Sequence, residues 1–118
     1  MQPRIVHPDE SDEFATPERC SILETWRDDE VTIARARVEP GVTTQLHSLD
    51  VDERYLIVSG TGVVSVGDVA PTEVGPGDVV AIPAGAAQRI ENSGAEDLVF
   101  YCVCTPPFRP ESYTALGD

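Results

Sequence analysis

From residue 20 to residue 104 the chain is a succession of short runs in which apolar and polar positions alternate, each closed by a turn signal. Alternation with period two marks a strand with one face buried. The runs are Cys20–Trp26, Val31–Val38, Val42–His47, Glu53–Ser59, Gly62–Val66, Val79–Ile82, Ala87–Glu91 and Leu98–Cys104. They are separated by Asp28-Asp29, Pro40-Gly41, Gly60, Gly67-Asp68, Gly75-Pro76-Gly77 and Ser93-Gly94, residues suited to tight turns. No stretch sustains a helical period. About eight short strands at regular spacing predict an all-β sandwich or barrel.

Parity within a run assigns faces. If Glu53 points inward, Tyr55 and Ile57 do too, and Arg54, Leu56 and Val58 face outward. Two outward aliphatics in one strand need cover. The chain's own ends can supply it, or a second copy, and a homodimer is expected. The polar stretch 1–19, punctuated by Pro3, Pro8 and Pro17, reads as an N-terminal arm. The barrel is expected over 20–105. Residues 106–118, beginning Pro106-Pro107-Phe108, show no strand pattern and read as a tail packed across the barrel end.

With 118 residues the chain fits one domain with one core. It holds 21 acidic against 8 basic residues, a formal charge of −13. Every basic residue is an arginine, so lysine Schiff-base chemistry has no residue to use. Such acidity repels phosphate backbones and anionic lipid, and neither nucleic acid nor membrane is an expected partner. No run approaches the roughly 18 apolar residues of a membrane span, and the first residues lack an apolar leader. A cytoplasmic location is therefore expected. The three cysteines, Cys20, Cys102 and Cys104, form no C-x-x-C pair and read as reduced thiols rather than a structural zinc site.

Two phrases carry the most specific signal. The first runs from Gly41 through His47, Leu49 and Glu53 to Gly60; the second from Gly77 through Pro83, Gly85 and Gln88 to Asn92. Together they resemble the paired motifs of the cupin superfamily, G-x5-H-x-H-x3–4-E-x6-G and G-x5-P-x-G-x2-H-x3-N. The glycines, the proline, His47, Glu53 and Asn92 fall in register. Leu49 stands at the second histidine position and Gln88 at the third. The resemblance covers about residues 31 to 104. It implies a double-stranded β-helix, or jelly-roll, barrel of the small single-domain bacterial type. It implies a divalent ion, zinc, nickel, manganese or iron, held by His47, Glu53 and Gln88 with water completing the shell. The other reading of the trio, hydrogen bonds among themselves and a water with no ion, stays open at this point.

One imidazole, one carboxylate and one amide are poorer than the two-histidine, one-carboxylate set that holds iron for oxygen chemistry. A dioxygenase is therefore the third choice. A small oxygenated organic ligand is expected, acted on by a non-redox isomerase, cyclase or lyase, or simply bound without catalysis. Glu53, and less so Tyr55, are the candidates to move a proton. Leu49 brings an apolar wall to the pocket. Tyr55 and Ile57 share the face of Glu53, Cys102 is a candidate wall or soft ligand, and Arg35 a candidate clamp for a substrate carboxylate.

Overall fold

A computed structural model describes all residues 1–118. Eleven strands form two antiparallel sheets. They are β1 (Phe14–Ala15), β2 (Ser21–Arg27), β3 (Thr32–Val38), β4 (His47–Leu49), β5 (Asp52–Ser59), β6 (Gly62–Val66), β7 (Val69–Val74), β8 (Val79–Ile82), β9 (Gln88–Asn92), β10 (Leu98–Thr105) and β11 (Tyr113–Ala115). The six-stranded sheet has the order β1-β2-β3-β10-β5-β8, and the five-stranded sheet β11-β4-β9-β6-β7. The only helices are two single 3-10 turns, Glu10–Asp12 and Pro110–Ser112. No helix is long and apolar enough to cross a membrane.

The inner faces of the two sheets make the core, as alternation requires. Val38, Ile57, Ile82, Ile90, Leu98 and Phe100 lie in one cluster with Tyr55. Burying each such side chain contributes about 1.5–3 kcal/mol. Strand β5 follows the expected parity: Glu53, Tyr55 and Ile57 are buried, and Arg54, Leu56 and Val58 are exposed. Gly60 turns β5 into β6 at φ +82°, and a Cβ there would stand 2.6 Å from the Asp97 carbonyl oxygen. No other residue fits both requirements.

Several elements differ from the sequence reading. Residues 42–46 are not a strand. They make only an isolated bridge, Thr43 to Glu91, because the Thr44 hydroxyl takes the Ile90 N–H that a ladder would give to a backbone carbonyl, and the Gln45 N–H turns away to the Glu18 carbonyl. Strand β7 was not foreseen. It is an edge strand exposed over Val69–Glu73, so burial imposes no apolar alternation on it. The tail contributes β11, paired with β4 from Tyr113↔Leu49 to Ala115↔His47. The arm adds β1 to the edge of the larger sheet.

Candidate functional site

The adjacent pairing of β4 and β9 sets His47 opposite Gln88. Strand β5 turns Glu53 and Tyr55 into the same interior. All four are buried, with Gln88 wholly inaccessible and Glu53 6% exposed. Tyr55 Oη donates to Gln88 Oε1 at 2.5 Å. His47 Nδ1 donates to the Gln45 carbonyl at 2.7 Å, which leaves Nε2 facing the site. On one side the layer adjoins the main core, through Tyr55 against Phe100. On the other it meets a smaller cluster of Leu49, Val51 and Cys104, which Phe108 and Tyr113 of the tail cover. Tyr113 stacks on the His47 ring at 4.7 Å.

Two buried side-chain atoms have no hydrogen-bond partner: Glu53 Oε1 and Gln88 Nε2. Unsatisfied buried polar atoms are scarce because each costs about 1–3 kcal/mol. The Gln88 amide is near enough to favour the charged Glu53 carboxyl without closing a hydrogen bond to Oε1, so an acceptor and a donor stand side by side with room for a polar group between them. Burial foremost raises the Glu53 carboxyl to about 7. The nearby Glu18 charge raises it as well, while the Gln88 amide and the thiols of Cys104 and Cys102 oppose the shift. The Cys104 thiol donates to Glu53 Oε2 at 3.7 Å. Burial also pushes up the Tyr55 hydroxyl and the thiols of Cys20, Cys102 and Cys104.

Residue by residue, the sequence-derived set divides. His47, Glu53, Tyr55 and Gln88 converge. Leu49 forms an apolar wall beneath the tail, but Ile57 belongs to the main core. Cys102 and Cys104 both lie near Glu53, and burial raises both thiols above the usual cysteine range. Arg35 is no clamp. It lies on the outer face, with its guanidinium 2.6 Å from Glu10 Oε1 and 3.4 Å from Glu13 Oε2. Its neighbours Ala34 and Ala36 take the inward parity instead, Ala36 being buried.

The donor set does not fit the ion that the motif positions would otherwise hold. Gln88 Oε1, the only atom of that amide able to ligate, is a neutral ligand weakened further by the hydrogen bond it accepts from Tyr55. Gln88 Nε2 is a donor, Leu49 cannot ligate, and no three His, Cys, Asp or Glu side chains gather around a common point.

Sequence reasoning missed Glu18. It sits in the arm, outside every motif, yet its Oε2 lies 3.7 Å from His47 Nε2 and its Oε1 accepts from Cys20 Sγ at 3.4 Å. A larger open groove of about 600 Å³, lined by Arg27, Asp28, Asp29, Asp50, Pro106 and Arg109 among others, contains none of His47, Glu53, Tyr55 and Gln88. A smaller one of about 210 Å³ between Asp52–Arg54 and Ala81–Pro83 reaches Glu53.

The sequence profile of the cupin domain matches residues 34–104. An uncharacterised protein of Streptomyces coelicolor is 32% identical over 72% of this chain and 79% of its own length. Among solved structures, Pac13 from Streptomyces, a nucleoside dehydratase also solved with uridine, superposes at TM-score 0.77. It shares 15% identity, with 97% of this chain and 92% of that one covered. Oxalate decarboxylase from Bacillus subtilis superposes at TM-score 0.79 with 20% identity, over 98% of this chain and 33% of that one. At these identities the likeness shows the fold alone.

Proposed function

The chain belongs to the cupin family, and from that premise we propose that its barrel binds a small oxygenated organic molecule and moves a proton on it through Glu53, as an isomerase or lyase would. The observation that carries this reading is the pair of orphaned atoms, Glu53 Oε1 and Gln88 Nε2. A hydroxyl group between them would satisfy both, donating to Glu53 Oε1 and accepting from Gln88 Nε2, and a carbonyl would do so with Glu53 protonated as the donor. A carboxyl held near 7 is populated in both protonation states at neutral pH, which is what a general acid–base group needs. Tyr55 acts as a positioning residue, since its hydroxyl is committed to Gln88 and turns the amide nitrogen toward the ligand. Leu49 supplies apolar contact. No step is routed through a resident metal, because the donor set does not fit one, and the same mismatch disfavours a dioxygenase. Pac13, a nucleoside dehydratase, supplies a first probe, uridine.

The test follows the Gln88 side-chain amide signals by NMR while a panel of small hydroxy and carbonyl compounds, uridine included, is added. Binders should shift those signals and weaken on Gln88→Leu substitution. Solvent deuterium entering a carbon position of a binder would establish proton transfer. Binding without exchange would leave a ligand-binding cupin with no catalysis. A panel that leaves the Gln88 signals unmoved would sink the reading.

The outward aliphatics support a homodimer. Leu56 and Val79 are cross-strand partners on β5 and β8, and with Val58 they are 41%, 62% and 49% exposed respectively. Leu56→Asp should convert a dimer to a monomer in light scattering, and a monomeric wild type would end this proposal. Three free thiols suit a reducing compartment such as the cytoplasm.

A further inference from the structure

We propose that the turn Thr16–Cys20 delivers Glu18 to the mouth of the barrel as a selectivity residue, so that the site takes uncharged hydroxylated ligands and turns away anions. This deepens the binding reading above and rests on it.

The turn is built to hold that carboxylate. Thr16 closes it with both its backbone nitrogen and its hydroxyl on the Cys20 carbonyl, each at 2.8 Å. Arg19 has φ +76° and is the one non-glycine residue in the left-handed region. Its Nε donates to the Thr43 carbonyl at 2.8 Å, and Gln45 N donates to the Glu18 carbonyl at 3.1 Å. The segment 43–45 thus grips the turn at Glu18 itself and at Arg19. The Glu18 side chain is 19% exposed and His47 beside it 6%, so the carboxylate stands between solvent and the buried layer. Behind it lie the two orphaned atoms of Glu53 and Gln88, both more than nine-tenths buried and lacking a partner.

Apart from His47, whose Nε2 lies 3.7 Å from Glu18 Oε2, no basic side chain faces these carboxylates from within. Arg35 and Arg37 are spent on Glu10, Glu13 and Asp97, and Arg27 on Glu24. Arg4, Arg54, Arg89 and Arg109 are exposed. Arg19, the basic residue nearest the mouth, is also exposed and tied to Thr43. An entering carboxylate or phosphate would meet Glu18, and behind it a Glu53 carboxyl that is charged in part, with no arginine as countercharge and in a setting where water screens little. The overall charge of −13 adds to the barrier. Hydroxyl groups meet no such barrier. They donate to the carboxylates and accept from Gln88 Nε2, while the Tyr113 ring offers apolar surface.

The experiment uses paired probes that differ chiefly in charge: uridine against uridine 5′-monophosphate, and methyl lactate against lactate. Each is titrated into the full chain and into Glu18→Gln, with the Gln88 amide signals as readout. In the wild type, the neutral member of a binding pair should bind at least about tenfold more tightly than the anion. Glu18→Gln should shrink that ratio severalfold, mainly by admitting the anion. Anions binding the wild type as well as their neutral partners would overturn the inference while leaving the binding site intact. So would an unchanged ratio in a folded Glu18→Gln protein. If no member of any pair binds, the reading of the barrel as a binding site falls, and this inference with it. The wild-type ratio is measured on the unaltered chain, so it decides even if the variant fails to fold.

Discussion

Glu53→Gln should make this protein more stable at pH 8 and change it little at pH 4.5. Burial lifts the Glu53 carboxyl from 4.5 to about 7 in the folded chain. Between those values the folded state holds a proton that the unfolded state has released. Stability rises with pH only where the unfolded state binds more protons, so here it falls as pH rises. At about 1.4 kcal/mol per pH unit, that interval amounts to a loss of about 3 kcal/mol by pH 8. Glutamine has the shape of the carboxyl and no charge to desolvate, so the loss should vanish in the variant. Other acidic groups also make stability depend on pH, but they are common to both proteins and cancel in the difference. The assay is urea unfolding of both chains at half-unit steps from pH 4.5 to 8, plotted as the difference in unfolding free energy. A flat difference, or a wild type that gains on the variant as pH rises, would refute the burial argument.

Tyr55→Phe leaves Gln88 Oε1 buried without its donor, and should cost about 1–3 kcal/mol in urea unfolding. Gly60→Ala combines a left-handed φ with a clash against the Asp97 and Leu98 backbone, and should cost at least about 2 kcal/mol by the same measurement. Leu49→His combined with Gln88→His restores imidazoles at the two divergent motif positions. That double variant should retain close to one zinc per chain in mass spectrometry after dialysis, while the parent retains far less. Equal retention by parent and variant would contradict the donor-set argument.

Much of the fold was legible because its signals are local. The alternation in Glu53–Ser59 depends only on strand geometry, and the burial of Glu53, Tyr55 and Ile57 follows it. Gly60 and Gly77 mark positive-φ turns, at +82° and +91°, wherever the chain lies in space. The motif register brought His47, Glu53 and Gln88 to notice for the same reason. Strand β7 left no mark because an edge strand exposed over five of its six residues needs no apolar face.

What the chain does with those three residues was decided at long range. Whether Gln88 offers its oxygen or its nitrogen depends on Tyr55, 33 positions away in sequence. Whether Arg35 faces a ligand or an acid depends on Glu10, 25 positions away. Glu18 reaches His47 only because Arg19 adopts a conformation that its side chain does not advertise and Thr43 holds it there. Periodicity and turn chemistry are properties of neighbours in the chain, so they can be read from the sequence. Hydrogen-bond partners and charge balance are properties of neighbours in space, so they exist only once the sheets have closed.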